Sequence, residues 1–479
     1  MGLGVAIMNV HIEMFQNLIR DNTLRIDPKY HSLQIKTGWN IFNSVQKEMI
    51  ELSEILVEKK EIFNYDDNTE YFGIQTGSKY INKFGDIRDS IIVTKEEHPQ
   101  RLKYKVSSGD ILISSLRYAR VPVITFSGKN IDLNKYVFSN GFYILKVKNN
   151  WNTHFVFRLL KTKKLRAVLD NNLATGIGIS NYKITDLLKI KVPNVPLEQQ
   201  DYFVDSITPL EKEIELSKTQ LLDSQEIIDK VFFDEFNLDV TILSELPRFE
   251  VYNISFNEFS NNKDLRNSAK FHKRKRIFIE KEFHKLTNKK IKDFLSEPAT
   301  LGFSAKSNYF DQESTSQYIS MAELKNWNIN TTDVKKLKEE YLESAKRTNK
   351  IIRKNDILMC RSGEGTIGKV AHVDETNEDV YADFVMRLSF KNYSSKFAYY
   401  FFRTTYFQSL IEIYKKGLGN NTNIYPKDIH EFPLLDISLD RQKKILEEIE
   451  QIFIKQDKII SNIDRLNLEI DENLIKILI

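Results

Sequence analysis

The stretch "RSGEGTIGKV", residues 361–370, carries glycines at the spacing of two phosphate-binding motifs. Gly363, Gly365 and Gly368 fit the Gly-x-Gly-x-x-Gly fingerprint of dinucleotide sites, and Gly363 with Gly368 and Lys369 fits the start of a P-loop. Both motifs need a helix directly after the glycine turn, because its N-terminus faces the anion. The segment after the lysine has no helical period, and a valine stands where a P-loop needs Ser or Thr. The pattern therefore predicts two strands joined by a glycine-containing loop.

Other catalytic signatures are missing from the sequence. It lacks the Asn/Asp-Pro-Pro-aromatic tetrapeptide of base methylation, and it lacks His-Glu-x-x-His and Gly-x-Ser-x-Gly. The eight histidines are scattered, and a single cysteine, Cys360, excludes an internal disulfide and a Cys-based zinc site. We therefore expect no catalysis, metal or cofactor in this chain. A nucleotide-using enzyme built around residues 363–369 is the alternative that the glycines leave open.

Length and composition indicate an ordinary globular protein. The chain of 479 residues is 41% hydrophobic and 28% charged, which allows two to four packed domains. It contains neither a long apolar run nor a signal-peptide pattern, so we expect a cytoplasmic protein. The net charge of +4 hides an uneven distribution, because residues 196–239 carry twelve acids and three lysines. An acidic element thus divides regions that together carry a net charge of +13.

The sequence around these residues contains short words that occur twice along the chain. Five words recur in the same order at offsets between 241 and 247 residues: "RIDPKYH" and "RNSAKFH", "YFGIQTG" and "YISMAEL", "GDILISS" and "NDILMCR", "FVFRLLK" and "FAYYFFR", "PLEQQ" and "SLDRQ". Each match alone is weak, whereas five in one order indicate an internal repeat. Each copy mixes short strand-like runs with one or two helices, which favours an α+β class over regular βαβ alternation.

A heptad pattern follows the last word of each copy. The apolar seam repeats at alternating intervals of four and three residues, with Ile207, Leu210, Ile214, Leu221 and Ile228 in the first copy and Ile449, Ile452, Ile459, Ile463, Leu466 and Ile470 in the second. A helix of roughly 39 residues would be about 58 Å long, longer than a small lobe is wide. We therefore predict an intramolecular coiled coil of the two helices, rather than two surface helices that each lie on their own domain.

These words and their order resemble the specificity subunit of a Type I restriction-modification system. The resemblance covers nearly the whole chain and is most specific at "VPNVPLEQQ" (192–200) and "NDILMCRSGEGTIGKV" (355–370). The second helix entry, "LLDISLDRQ", departs from the pattern because Ser438 stands where the first entry has Pro196.

The resemblance implies two α/β target recognition domains separated by two long helices, which form an antiparallel coiled coil with an internal pseudo-two-fold repeat. It divides the chain into an N-terminal segment (1–31), a first recognition domain (32–195), a central long helix (196–239), a second recognition domain (240–437) and a C-terminal long helix (438–479).

The resemblance also implies a function without catalysis. Each domain would read one half of a bipartite, asymmetric site in double-stranded DNA, and the coil would set the spacer. The expected partners are two methyltransferase subunits, which use S-adenosylmethionine. In some complexes, restriction or translocase subunits would also join. No membrane is implied. Basic lobes attract phosphate, whereas an acidic coil is repelled by DNA and is free to bind protein.

Candidate DNA contacts are loop residues that combine Arg, Lys, Asn and Gly, because Arg and Asn make bidentate contacts to guanine and adenine. In the first lobe these are Arg117, Tyr118, Arg120, Thr175, Gly176, Ser180 and Asn181. In the second lobe they are Lys306, Asn308, Tyr309, Arg361, Ser362, Lys369, Asn420, Asn421 and Asn423. An ordinary solvated loop is the alternative for each of them. For the whole chain, the alternative function is a two-lobed coiled-coil scaffold that binds proteins and no DNA.

Overall fold

The computed structural model describes residues 40–42, 45–116, 119, 123–127, 129, 131–173, 181–238, 253–257, 271, 274–324, 327–363, 365–375, 378–417 and 421–479. The chain divides into a first unit, which comprises residues up to Thr219 together with Ser461–Ile479, and a second unit, Gln220–Ile460. The predicted N-terminal segment 1–31 lies outside the described residues. Within the described ranges, every helix is too short or too polar to cross a bilayer.

The described part of the first unit contains two four-stranded sheets. One has the order β2-β9-β6-β7 and is antiparallel throughout; the other has the order β4-β3-β8-β5, with β3 and β8 parallel. A short antiparallel pair, β1 and β10, lies beside them. The strands are Met49–Glu51 (β1), Leu56–Glu58 (β2), Tyr71–Ile74 (β3), Ile91–Val93 (β4), Leu102–Tyr104 (β5), Ile111–Ser114 (β6), Val123–Thr125 (β7), Tyr136–Ser139 (β8), Phe142–Val147 (β9) and Lys191–Pro193 (β10). Helices are Leu52–Ile55 (α1), Thr153–Lys161 (α2), Lys163–Val168 (α3), Ile184–Leu188 (α4) and Leu197–Thr219 (α5), with a π turn at Leu169–Leu173.

The second unit repeats this plan. Its antiparallel sheet has the order β11-β17-β14-β15, and its other sheet, β13-β12-β16, again contains one parallel pair, β12 with β16. The strands are Thr300–Leu301 (β11), Gln317–Ile319 (β12), Lys335–Lys336 (β13), Ile357–Cys360 (β14), Val370–His372 (β15), Val380–Tyr381 (β16) and Val385–Leu388 (β17). Helices are Ser224–Phe236 (α6), Arg274–Leu286 (α7), Ile291–Phe294 (α8), Glu339–Arg347 (α9), Ser395–Arg403 (α10), Thr405–Tyr414 (α11), Pro426–His430 (α12) and Leu439–Leu478 (α13), the last of which ends in the first unit.

The repeated words of the sequence form the same local structures in both units. "DILIS" and "DILMC" become β6 and β14, central strands buried at every position. Two residues before each strand, the backbone has a positive φ, at Gly109 (88°) and at Asn355 (68°). The aspartate that follows accepts a hydrogen bond from the backbone N–H of the residue three positions before it. The predicted α+β class is therefore confirmed, and the repeat extends to the turn that begins each central strand.

The glycine stretch is a hairpin link, as predicted. Strand β14 pairs antiparallel with β15, so no helix follows the glycines. Gly363, Gly365 and Gly368 all have positive φ. At Gly368 a side chain would also be too close to its neighbours, since an added Cβ would lie 2.7 Å from Ile411 Cγ2. The glycines therefore permit a tight link.

The long helices run antiparallel in each unit. In the second unit Leu222 N–H donates to Gln456 Oε1 over 3.0 Å, and Arg441 Nε donates to Glu235 Oε1 over 2.7 Å. In the first unit Asn462 donates to Glu213 over 3.0 Å. The predicted seam is buried at Ile207, Ile214, Ile228, Ile449, Ile463, Leu466 and Ile470, and half-buried at Leu210, Leu221, Ile452 and Ile459. Antiparallel pairing of the predicted segments is thus confirmed.

The prediction of one uninterrupted helix over 196–239 is wrong. Helix α5 ends at Thr219 and α6 begins at Ser224, so Leu221 lies in a link between two helices. Asp223 starts α6, because its carboxylate accepts the N–H of Gln225 while Glu226 accepts the N–H of Asp223. This capping box satisfies donors that a new helix N-terminus leaves unpaired. Helix α13, in contrast, is continuous for 40 residues.

A buried glutamine joins each long helix to the α/β domain that precedes it. Gln200 Oε1 accepts the N–H of Asn152 over 2.8 Å, and its Nε2 donates to the carbonyl of Val195 over 2.7 Å. Gln442 repeats this arrangement 242 residues later, accepting from Ser394 over 2.8 Å and donating over 2.9 Å to Ile437. Asn152 and Ser394 are the N-caps of α2 and α10. Each glutamine therefore fixes a helix of the domain against the start of a long helix.

We expect Gln442→Ala to lower the free energy of unfolding by about 1–3 kcal/mol, because the variant leaves a buried N–H and a buried carbonyl without partners. Chemical denaturation of the full chain measures the change. Gln451→Ala, at an exposed position of the same helix, is the matched control and should change stability by less than about 0.5 kcal/mol. Equal effects of the two substitutions would contradict the role given to Gln442.

A charged cluster joins α2 to α5 in the first unit. Arg158 Nε donates to Glu211 Oε1 over 2.8 Å, and His154 Nε2 lies 2.7 Å from the same oxygen. Burial raises the pKa of Glu211, but the hydrogen bond with His154 and the charge of Arg158 outweigh it and lower the pKa to about 2. A carboxylate with a depressed pKa in the folded state stabilises that state above its unfolded pKa, and loses this effect as the pH falls.

We therefore expect Glu211 to contribute to acid sensitivity between about pH 4.5, where the carboxyl titrates in the unfolded chain, and about pH 2. Glu211→Gln should lower stability at pH 7 and flatten its decline with acid across this window, as measured by denaturation at a series of pH values. Glu198→Gln, at an exposed position of the same helix, is the matched control and should change stability at pH 7 by less than about 0.5 kcal/mol.

Candidate nucleic-acid interface

The predicted contact loops divide into described and undescribed parts. Seven predicted residues lie outside the described residues: Arg117, Tyr118, Arg120, Thr175, Gly176, Ser180 and Asn420. The described members are Asn181 in the first unit and Lys306, Asn308, Tyr309, Arg361, Ser362, Lys369, Asn421 and Asn423 in the second.

In the first unit, the residues that border the predicted loops are held together. Leu116, just beyond β6, forms an antiparallel bridge with the exposed Asn181. The neighbouring Tyr182 is buried; its hydroxyl donates to the carbonyl of Ser114 over 2.7 Å and its N–H donates to that of Ser115 over 3.3 Å. Burial raises the pKa of Tyr182 well above its ordinary value, so this hydroxyl stays a donor. The predicted loops thus start and end on one fixed frame.

The second unit contains the same frame. Ser362 forms an antiparallel bridge with Asn423, and Ile424 N–H donates to the carbonyl of Arg361 over 2.8 Å. These positions match Leu116, Asn181, Tyr182 and Ser115 of the first unit at the repeat offsets. The structure therefore brings Arg361, Ser362 and Asn423 together, although 60 residues separate them in the chain.

The members of this cluster differ in exposure. Ser362 is buried, and its hydroxyl donates to the carbonyl of Thr422 over 3.1 Å, so it supports the frame. Asn421 is exposed, Asn423 is half-buried, and Asn423 Nδ2 donates to the carbonyl of Asn421 over 3.1 Å. Lys369 is half-buried at the end of the glycine link. The surface of the cluster thus carries Arg361 and the asparagines.

Arg361 lies between two exposed aromatic rings. Its guanidinium carbon is 5.3 Å from the ring centroid of Phe384 and 5.9 Å from that of Tyr425, and these side chains are 44% and 38% exposed. Its Nε donates to the carbonyl of Asp383 over 3.0 Å. Among the described residues, its two terminal nitrogens have no hydrogen-bond partner. An arginine held at Nε and stacked by aromatic rings presents its fork of donors in a fixed direction.

Phe384 and Tyr425 were not predicted from the sequence. They follow β16 and precede α12, so chain spacing gives no sign that they flank Arg361. The sequence offers no local signal for Phe384, because its exposure beside buried neighbours is visible only in the structure. Lys416 adds a further charge, since its Nζ lies 5.8 Å from the ring of Tyr425 and 3.4 Å from Asp428.

The turn Ser307–Tyr309 lies on a separate loop of the second unit. Lys306 and Asn308 are exposed, whereas Tyr309 stacks on Tyr341 with ring centroids 3.7 Å apart. Tyr309 is therefore part of a packed pair, whereas Lys306, Ser307 and Asn308 beside it face solvent.

The buried Tyr318 connects this loop to the Arg361 cluster. Its hydroxyl donates to the carbonyl of Phe303 over 2.6 Å and also meets the backbone of Asp383, whose carbonyl holds Arg361. Burial, followed by the charge of Asp383, raises the pKa of Tyr318 to about 12. The hydroxyl therefore stays protonated. It links the backbone at Phe303, just before the turn at Ser307–Tyr309, to the backbone of Asp383 beside Arg361.

Residues 44–224 match the family model of the Type I restriction modification DNA specificity domain. No curated protein matches the chain.

Three similar solved structures have low identity to the chain. One is a structure of the type I R-M system that describes its complex assembly and conformational transition. It is 13% identical to this chain, with a TM-score of 0.41, and the match covers 90% of this chain and 97% of that one. The HsdS subunit from Thermoanaerobacter tengcongensis is 14% identical, with a TM-score of 0.32, over 90% and 96%. The Type-I restriction-modification system S subunit from M. genitalium is 14% identical, with a TM-score of 0.38, over 91% and 97%.

The match over 44–224 contains β1 to β10 and their helices, continues through α5 and ends at the first residue of α6. Residues 44–224 of this chain are therefore similar in sequence to the Type I restriction modification DNA specificity domain.

Proposed function

We propose that this chain is the DNA-specificity subunit of a Type I restriction-modification complex, in which each unit reads one half of a bipartite, asymmetric target. One observation carries the proposal: the same frame anchors the predicted contact loops in both units, at Ser115 and Tyr182 and again at Arg361 and Ile424. Two copies of one frame with different loop residues suit the reading of two different half-sites. In the second unit the loop presents an arginine between exposed aromatic rings.

The proposal assigns different partners to the loops and to the long helices. Arg361 suits a bidentate contact to guanine, and the exposed asparagines suit adenine. Residues 196–239 carry a net charge of −9, so the central helices suit a protein partner better than DNA. We propose that they dock methyltransferase subunits, which supply S-adenosylmethionine and the chemistry, and that antiparallel pairing of the helices sets the spacer between half-sites.

Co-expression with candidate methyltransferase subunits and genome-wide mapping of modified adenine tests the proposal. A two-part motif with a fixed gap is the expected result. Replacement of residues 32–195 by another recognition domain should change one half of the motif and leave the other half intact. The scaffold alternative predicts instead that copurified complexes bind duplex DNA without salt dependence or not at all, and this result would overturn the proposal.

We expect Arg361→Ala to relax base preference at one position of one half-site, because a bidentate arginine contributes about 1–3 kcal/mol of discrimination. Arg361→Lys keeps the charge but loses the planar fork. If Arg361 reads a base, this variant should also lose the base preference, whereas if Arg361 contacts phosphate, the variant should keep the motif of the parent chain. Motif mapping in the co-expressed complex measures the change. Arg347→Ala, at an exposed position of α9, is the control and should leave the motif unaltered.

The absence of catalysis in this chain is also a proposal, and Ser395 gives it a sharp test. His372 Nδ1 lies 2.9 Å from Asp374 Oδ1 and its Nε2 lies 3.0 Å from Ser395 Oγ, the order of a hydrolase triad, beside a cavity of about 520 Å³. However, the Asp374 side chain is 82% exposed, whereas the acid of a triad is buried. The equivalent positions of the first unit hold Phe126 and Thr153. We propose that these contacts tie β15 to α10.

A fluorophosphonate probe, which traps activated serines, should therefore leave the chain unlabelled at Ser395, as measured by peptide mass spectrometry. Labelling that disappears in both Ser395→Ala and His372→Gln would show an activated nucleophile and would contradict a non-catalytic role. Chymotrypsin treated in parallel verifies that the probe is active.

A further inference from the structure

A cavity in the first unit has no role in the proposed function. Its volume is about 690 Å³, within the range of small-molecule sites. Side chains from α2, α5 and the last part of α13 line it, together with β7 and the loop at residues 83–85. The lining combines the rings of Phe84 and Phe157 with several charged side chains, so a ligand would meet both apolar and ionic groups.

Most of the cations of this cavity have acidic partners. Arg158 is bound to Glu211. Lys218 lies 2.6 Å from Glu215, and Lys129 is bound to Asp86. Each of these cations therefore already has one acidic partner close by.

Lys161 differs from these cations. Among the residues that the structure describes, its ammonium group has no hydrogen bond and no ion pair. Its Nζ lies 5.0 Å from the ring centroid of Phe157. The side chain lies on the last turn of α2 and lines the cavity. Lys161 is half-buried, and a partly desolvated ammonium without an ion-pair partner is unfavourable unless a ligand supplies one.

The electrostatic surroundings of Lys161 support an anionic ligand. Burial, and then the positive charges of Arg158 and Lys218, lower the pKa of Lys161 to about 7, against the opposing effect of Asp471 and Glu211. Cations thus outweigh carboxylates at this ammonium group. The charged or titratable side chains that line the cavity around it are Lys83, Lys129, His154, Arg158, Arg166, Glu211, Glu215, Lys218, Asp464 and Asp471.

We propose that this cavity binds a small oxyanion of the phosphate class, with Lys161 as its central ligand and Arg158 and Lys218 beside it. The two phenylalanine rings offer a wall for the organic part of a phosphorylated molecule. Because the lining comes from α2, α5 and α13, the ligand would hold both long helices to the recognition domain of the first unit. This site does not depend on the DNA contacts proposed above.

Sulfate is the probe for the first experiment, because it stays doubly charged from pH 6 to pH 8 while Lys161 titrates. Thermal unfolding of the full chain is followed against sulfate concentration, with sodium chloride added to keep ionic strength constant. A ligand that binds the folded state raises the unfolding temperature in a saturable manner. We expect half-saturation at roughly tenfold lower sulfate at pH 6 than at pH 8, because the protonated fraction of Lys161 changes by about that factor.

Variants separate Lys161 from its neighbours. Lys161→Met should abolish the saturable shift, and Lys146→Met, at an exposed position of β9, should retain it. His154 also lines the cavity, so His154→Gln should retain the pH dependence if Lys161 is the responsible group. A saturable shift that survives Lys161→Met would mean an adventitious ion only, and would overturn the proposal, as would the absence of any saturable shift.

Chemical labelling tests the site without a variant. Near pH 7.5, Lys161 should react with an amine-directed acylating reagent faster than Lys146, because more of it is neutral, and saturating sulfate should slow this reaction. Equal rates, or no protection, would count against the site even if Lys161→Met does not fold. Adenosine monophosphate and inorganic phosphate then identify the ligand: tighter binding of the nucleotide indicates an organic phosphate against the rings, and equal binding indicates the oxyanion alone.

Discussion

The buried amide at the start of each long helix is the constraint on which the architecture depends. Gln200 and Gln442 are 0% and 1% exposed, and each satisfies a backbone N–H of the preceding α/β domain and a backbone carbonyl before its own helix. A buried amide is stable only where both its donor and its acceptor are paired. The direction in which each long helix leaves its domain is therefore fixed by hydrogen bonds, while apolar seam residues supply most of the burial. This division explains why "LEQQ" and "LDRQ" recur although their flanking residues differ.

Much of this organisation could be predicted from the sequence, because it depends on periodicity and repetition. The seam predicted which segments pair, the resemblance implied that they pair antiparallel, and the repeated words predicted which strands match. The interruption between α5 and α6 was missed, because apolar spacing continues across it through Leu221 and Ile228. The signal was present as Asp223 and Glu226, a capping pair in the middle of a heptad pattern. Local capping chemistry outweighed the propagation of the helix at that point.

The candidate interface was predictable only in part, for a different physical reason. Arg361 and the glycine link stand out by residue type. Their partners, Phe384 and Tyr425, come from other segments and reach Arg361 only through the pairing of β14 with β17 and the bridge of Ser362 to Asn423. Ser362 is an error in the opposite direction. As a polar loop residue it was predicted to contact DNA, but its side chain is buried and supports the frame. Tertiary contacts of this kind leave no periodic trace in the chain.

The two units show how one frame accommodates two kinds of loop. After β14 the chain turns through three glycines with positive φ, and Gly368 has no room for a side chain beside Ile411. After β6 the corresponding sequence, "SSLRYARVPV", has no glycine, yet Tyr182 closes the same frame by donating to the carbonyls of Ser114 and Ser115. The frame is maintained largely by hydrogen bonds to backbone carbonyls, which constrain the identity of most side chains weakly. Residues beyond it can therefore vary without loss of the core, and a surface built in this way can acquire a new specificity while the fold is unchanged.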